Sequence, residues 1–184
     1  MFGSQFAAVR LVASASGVDD ATLASAIVSA LEAKQLHLIL AESLTGGDLS
    51  SAIVSVPGAS KVLLGCIVAY DSRLKQALLS VSQTTLEEFG AASSKVAAEM
   101  ARGARSLASQ SSATPTSAIV AVSTTGVAGP EAQDGVGVGR VFVAIDGPGL
   151  ESEGLEFEFE GDRQSIRGQA VRAALEALLT GLTD

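Results

Sequence analysis

The sequence predicts an α/β fold, specifically a three-layer α/β/α sandwich. Apolar runs of strand length alternate along the chain with segments whose apolar residues recur at helical spacing. Three of those runs end on short stretches rich in small, hydroxyl or charged residues, and sandwiches of this kind gather their ligands beyond such strand ends.

The first helix is expected after Asp19-Asp20, which can cap it, with Leu23, Ile27, Ala30 and Leu31 on one face up to Lys34. A strand follows over 36–41, then a tight turn through Ser43-Leu44-Thr45-Gly46-Gly47, then helical spacing again at Ala52-Ile53-Val54. A second apolar run, 61–70, reads as a strand ending on Tyr70. Leu74, Ala77, Leu78 and Val81 mark a short helix, and Val96, Met100, Ala104 and Leu107 one face of a longer one over 94–108. Ala118 to Val122 is a strand that runs into a small-residue loop over 123–130. Further strands are expected over 138–145 and 155–159. The latter alternates Leu155, Phe157 and Phe159 with three glutamates, so it has one wet face and belongs near a sheet edge. A helix over 162–180 closes the domain. The chain shows no internal repeat, so residues 19–184 are expected to form one domain behind an N-terminal extension, 1–18.

Composition excludes several classes. Of 184 residues, 47% are hydrophobic, enough for a substantial core, yet no apolar run is long enough to span a bilayer. Twenty acidic residues against twelve basic ones give a net charge of −8 with no basic stripe, which argues against nucleic acid as a partner. The single cysteine, Cys66, lies in an apolar run and is expected to be a buried structural thiol. The single histidine, His37, leaves almost no ligands for zinc and makes a Ser-His-Asp triad a poor fit. Residues 1–18 carry one Arg and no acidic residue. The expected location is the cytoplasm, with a mitochondrial presequence as the alternative.

The chemistry-bearing strand ends are Glu42 to Gly47, Tyr70 to Lys75, and Thr125 to Pro130, the last contributing Thr125, Gly126 and Gly129 as candidate substrate contacts. Lys75 falls in the first turn of a helix capped by Asp71 or Ser72. The positive helix end and partial burial both disfavour its ammonium, moving it from about 10.4 toward the roughly 7–8 of tuned catalytic lysines. In a chain without a histidine base, such a lysine activating a serine is the economical nucleophile. Ser43 is the favoured serine, because backbone N–H groups at its hinge could receive an oxyanion; Ser72 reads as a cap. A solvated helix lysine is the alternative. Gly135 to Gly139 leads into a strand rather than a helix, so it fails as a dinucleotide fingerprint. Arg163 and Arg167, four apart at a helix start, form a candidate phosphate grip; pairing with Glu160 or Asp162 is the competing reading.

The stretches AESLTGG, VAYDSRLK, FGAASSKVAAEMARGAR, STTGVAGP, VGRVFVA and FEGDRQSIRGQAVRAAL resemble, in order and spacing, the C-terminal domain of the CinA family, the nicotinamide-nucleotide amidohydrolases. The resemblance runs from about residue 20 to 180. It implies a sandwich with a mixed, mostly parallel sheet, and deamidation of nicotinamide mononucleotide to nicotinate mononucleotide and ammonia without metal or cofactor. It also implies a homo-oligomer, a dimer or larger. By the same resemblance the catalytic serine, tyrosine and lysine fall on Ser43, Tyr70 and Lys75, with Lys75 or a Lys75–Tyr70 relay taking the serine proton. Backbone N–H groups around Thr45 and Gly46 are expected to hold the oxyanion, and Glu42 either to balance the pyridinium or to serve structural hydrogen bonds.

The chain departs from the family pattern at Leu44, where the family usually has Cys. It departs again over Glu131 to Gly139, which lacks the family's Lys-Pro-Val-Gly; Arg140 is the candidate replacement for that lysine. The departures keep two rivals open: a catalytically silent binding or regulatory module, and an amidase for another small amide.

Overall fold

The computed structural model describes residues 17–150 and 154–183; residues 1–16 of the expected extension lie outside them. The elements are α1 (Asp20–Lys34), β1 (His37–Glu42), α2 (Asp48–Val54), β2 (Leu63–Val68), α3 (Ser72–Leu79), α4 (Gln83–Phe89), α5 (Ser94–Ser111), β3 (Ile119–Gly126), β4 (Arg140–Asp146), β5 (Leu155–Glu158) and α6 (Arg163–Thr183). The start of α1 is set as the sequence suggests, with Asp19 accepting from the Thr22 N–H at 2.8 Å.

The sheet has the order β2-β1-β3-β4-β5. β1 is parallel to both β2 and β3, β4 is antiparallel to β3, and β5 is antiparallel to β4. Four strands therefore point one way and β4 alone runs back, the expected mixed, mostly parallel sheet. β5 is an outer strand, in keeping with its alternating glutamates.

Alternation along the central strands divides the core into two layers. Leu38 and Leu40 of β1, with Val120 and Val122 of β3, pack under α1, α2 and α6. Ile39 and Ala41, with Ile119 and Ala121, pack under α3 and α5 on the other face. The second face is built from small residues. Ala97, Ala101 and Ala104 of α5 are fully buried, and at Gly103 a Cβ would stand 1.8 Å from the Leu79 carbonyl oxygen of α3. That glycine lets α3, the helix carrying Lys75, lie directly on α5.

Several boundaries move by a residue or two, as with β2, which ends at Val68 and leaves Tyr70 beyond the strand, and two elements differ more deeply from the sequence expectation. β3 continues to Gly126 rather than giving way to a loop at Ser123. Ser123, Thr124 and Thr125 stay in the sheet because each buried hydroxyl has a partner: Ser123 donates to the Ala97 carbonyl at 2.6 Å, Thr124 bonds Thr45 at 2.7 Å, and Thr125 donates to the Ala91 carbonyl at 2.8 Å. The unforeseen α4 has no buried residue, so its sequence carries no apolar stripe to announce it.

This topology explains why the three strand ends meet. β1, β2 and β3 are parallel neighbours, so their C-terminal ends share one edge of the sheet. β4 begins and β5 ends at that same edge, which brings the start of α6 there too.

Candidate active site

At that edge lies a cavity of about 340 Å³, walled by Ser43, Tyr70, Lys75, Thr125, Gly126 and Arg163 among others. Ser43 is the first residue past β1. Its N–H donates to the Thr124 carbonyl at 3.0 Å, fixing the backbone under the hydroxyl.

Lys75 approaches from the opposite side. Asp71 caps α3, accepting from the Arg73 N–H at 2.8 Å, and Ser72 is the first helical residue rather than the cap. Lys75 then lies on the inner face of α3, only 1% exposed. Its Nζ donates to Ser43 Oγ and to the Ala69 carbonyl, both at 2.7 Å. Burial pushes the lysine down from 10.5 to about 8, with the Asp71 carboxylate pulling weakly the other way. The alternative of a solvated lysine is therefore set aside. Asp71 itself is held well below the usual carboxylate range by its hydrogen bonds from Arg73.

The hinge 43–47 contains a turn closed by Gly46 N–H donating to the Ser43 carbonyl at 3.1 Å. Gly46 is thus corrected as an oxyanion donor, because its N–H is already spent. The N–H groups of Leu44 and Thr45 make no hydrogen bond among the described residues, and Leu44 lines the cavity. The donor available at the cavity next to Ser43 is therefore the Leu44 N–H; Thr45 is wholly buried, does not line the cavity and turns its side chain to Thr124, so it too is corrected as an oxyanion donor.

Glu42 is also corrected as a substrate contact. It is wholly buried and does not line the cavity. Its carboxylate accepts from the N–H groups of Gly47, Leu49 and Ser50 at the start of α2, and from the Cys66 thiol at 3.3 Å. Cys66 is half-buried rather than buried, and its thiol is pushed up to about 12, by desolvation first and by Glu42 second, which leaves it unreactive.

The arginines separate. Arg163 reaches the cavity rim, donating to the Gly129 carbonyl at 2.7 Å and to the Tyr70 hydroxyl at 3.1 Å; it forms no ion pair among the described residues. Arg167 does not reach the cavity. It turns under the hinge and donates to the carbonyls of Leu44 and Thr45 and to Asp48, so the two-arginine grip is not formed. Arg140 is likewise corrected: it pairs with Glu156 on the neighbouring strand and stays outside the cavity.

Tyr70 is 62% exposed and walls the cavity, but its hydroxyl is bonded to Arg163 and not to Lys75, so a Lys75–Tyr70 relay is not assembled. Thr125, Gly126 and Gly129 do line the cavity. At Gly126 a Cβ would stand 2.6 Å from the Arg140 carbonyl oxygen, so only glycine lets β3 and β4 close at this corner.

Ala91, Ala92, Glu131 and Gln133, none of them a candidate from the sequence, also wall the cavity. The first two are small residues ahead of α5, where bulk would fill the space. Glu131 bonds to none of the described residues; the sequence signals that mark it are Pro130 directly before it and its place at the start of the 131–139 stretch that departs from the family pattern. Among the described residues no cluster of His, Cys, Asp or Glu could hold a metal, and no helix is long and apolar enough to cross a membrane.

This topology has counterparts among known proteins. A CinA-like protein of Thermotoga maritima is 39% identical over 165 residues, covering 88% of this chain and 38% of the relative. The crystal structure of a competence-damaged protein (CinA) superfamily protein from Escherichia coli superposes with a TM-score of 0.84 at 36% identity, covering 96% of this chain and 98% of that one. A competence or damage-inducible protein from Enterobacter asburiae gives 0.83 at 32%, covering 90% and 99%. The chain spans 37–39% of the length of the curated relatives it matches. Residues 20–182 match the CinA C-terminal domain, from the first turn of α1 to the last of α6, and the chain belongs to that family.

Proposed function

We propose that the chain is a nicotinamide-nucleotide amidohydrolase that converts nicotinamide mononucleotide and water to nicotinate mononucleotide and ammonia. The observation that carries this reading is the buried Lys75–Ser43 contact of 2.7 Å, with the lysine brought to about 8. A structural lysine at this depth would gain from a carboxylate partner; this one has a serine hydroxyl and a carbonyl.

In the resting pair the ammonium donates to Ser43. Once Lys75 loses its proton the bond reverses, and the Ser43 hydroxyl donates to a neutral amine able to take its proton. Ser43 Oγ then attacks the carboxamide carbon. The carbonyl electrons move onto oxygen, facing the unpaired N–H of Leu44; one such donor is worth about 3–4 kcal/mol in other hydrolases. Lys75 returns the proton to the departing nitrogen as the C–N bond breaks, releasing ammonia. Lys75 then takes a proton from water, whose oxygen attacks the acyl carbon, and passes that proton to Ser43 Oγ as the ester bond breaks, freeing the acid and restoring the serine. Arg163, at the rim and without an acidic partner among the described residues, suits the substrate phosphate. Tyr70 offers its ring beside the pyridine.

The test is ammonia and nicotinate mononucleotide formation by purified protein, beside Ser43→Ala and Lys75→Ala. The reading expects wild-type turnover that either substitution abolishes. Absence of turnover in folded wild-type protein, or persistence of it in Ser43→Ala, rejects the reading.

A further inference from the structure

Arg167 is half-buried against the hinge and does not line the cavity, its side chain 22% exposed. Nε donates to the Leu44 carbonyl at 3.0 Å, and Nη2 donates to the Thr45 carbonyl at 2.8 Å and to Asp48 at 2.6 Å. These carbonyls belong to the peptides just past the nucleophile. A trans peptide is planar with its C=O and N–H opposed, so fixing the Leu44 carbonyl also fixes the Thr45 N–H. Fixing the Thr45 carbonyl fixes the Gly46 N–H, which in turn holds the Ser43 carbonyl at 3.1 Å and thereby orients the Leu44 N–H. One guanidinium thus controls three successive peptides. Two N–H groups are left without an acceptor among the described residues: that of Leu44, which lines the cavity with Ser43, and that of Thr45, which is wholly buried next to it. Charge-assisted bonds to the carbonyls also polarise these peptides and strengthen their N–H groups as donors.

We infer that Arg167 is a positioning residue for the oxyanion site: it touches no substrate, and it holds and polarises the linked hinge peptides that present the Leu44 N–H to the developing charge. The inference rests on the hydrolase reading of Ser43 and Lys75. Asp48 neutralises the guanidinium, pairing with the same Nη2 that meets the Thr45 carbonyl, so Arg167 acts through these bonds rather than as a free positive charge for phosphate.

The experiment compares wild type, Arg167→Gln and Arg167→Lys on two substrates. One is nicotinamide mononucleotide; the other is p-nitrophenyl acetate, an activated ester that needs the serine and the oxyanion site but no nucleotide recognition. Arg167→Gln is expected to lower kcat on the nucleotide about 10- to 100-fold with KM changed less than about threefold, the pattern of a lost transition-state contact. Ser43 acetylation by the ester slows in step. Arg167→Lys recovers part of the loss, since an ammonium can meet one carbonyl but not both. The acid limb of the pH profile stays in place, because the Lys75–Ser43 contact is separate.

A rise in KM at constant kcat would overturn the inference in favour of a phosphate contact, and kcat within twofold of wild type would overturn it outright. If Arg167→Gln does not fold, Asp48→Asn takes its place, loosening the guanidinium while leaving its charge; a several-fold fall in kcat at constant KM supports the inference, and an unaltered kcat rejects it. Wild-type protein that acetylates Ser43 but spares the nucleotide rejects the substrate reading alone, and the Arg167 comparison then proceeds on the ester. Wild-type protein inert to both rejects the hydrolase and this inference together.

Discussion

Lys75 Nζ meets Ser43 Oγ at 2.7 Å although the two residues are 32 positions apart, one past the end of β1 and one in the first turn of α3. The contact ties the hinge after β1 to the helix after β2, across two parallel neighbouring strands. Because Lys75 is buried and held near 8, it is both the candidate base and a liability to the fold.

The first prediction concerns pH. Lys75 must be neutral to act, so kcat/KM for nicotinamide mononucleotide is expected to rise with pH and level off above about 8. Stability follows the same group. Its value in the fold lies below that of the unfolded chain, so the unfolded state binds more protons between about 8 and 10.5, and Lys75's penalty on folding fades as pH rises through that window. Lys75→Met should therefore abolish turnover yet hold or raise stability at pH 7, by up to about 2–3 kcal/mol. Denaturant melts of the two proteins at pH 7 check this; a Lys75→Met protein clearly weaker than wild type would show that the buried ammonium stabilises the fold.

Glu42 gives the opposite expectation. Its carboxylate accepts four hydrogen bonds, three from the backbone at the start of α2. Glu42→Gln places an amide NH₂ among donors and should cost about 2–4 kcal/mol, as expected for buried hydrogen bonds to a charge. Thermal melts read the cost, and in protein that remains folded KM should change little. A large KM change without loss of stability would return Glu42 to the substrate.

Arg163 and Arg140 part company in the third prediction. Arg163→Ala is expected to raise KM for the mononucleotide by at least about tenfold, since a charged hydrogen bond is worth about 1.5–3 kcal/mol. Arg140→Ala, which loses only a half-exposed pair with Glu156, should leave KM within about twofold. Steady-state kinetics of both variants decide it, and equal effects would contradict the placement of Arg140 outside the site.

The outcome at these residues traces what local sequence can carry. The pairing of Ser43 with Lys75 was legible because a chain without a spare histidine has few ways to activate a serine, and the hinge and the helix start each limit what their residues can do. The roles of Glu42 and Arg167 were not legible, because an acid or a guanidinium near a hinge looks the same whether it faces the ligand or the backbone. Which it faces is set by the folded geometry: for Glu42 by how the hinge turns the start of α2 back onto it, and for Arg167 by contacts more than a hundred residues away, as with Leu44. The extension of β3 through Ser123 to Gly126 escaped notice for a related reason: hydroxyl residues read as a loop until their buried partners, the Ala97 and Ala91 carbonyls and the Thr45 hydroxyl, are in place. Helix α4 is silent in the sequence because only Leu86 packs against the core, and that partly, which leaves no apolar stripe.

The last prediction tests how the site is supported from behind. Gly103 of α5 sits where a Cβ would come within 1.8 Å of the Leu79 carbonyl oxygen, which is backbone and cannot turn aside. Leu79 ends the helix that begins with the turn carrying Lys75, so relieving the clash must shift α3 away from α5 and draw Lys75 from Ser43. Gly103→Ala is therefore expected to destabilise the protein by more than about 2 kcal/mol despite the better helix propensity of alanine, and to lower kcat in whatever remains folded. Gly168 of α6 provides the matched comparison. It is also helical, and nothing stands within 4 Å of the position its Cβ would take, so Gly168→Ala should stabilise by about 0.5–1 kcal/mol. Equal effects of the two substitutions in denaturant melts would mean that α3 and α5 are not in the contact described, and that the lysine is held by its own hydrogen bonds alone.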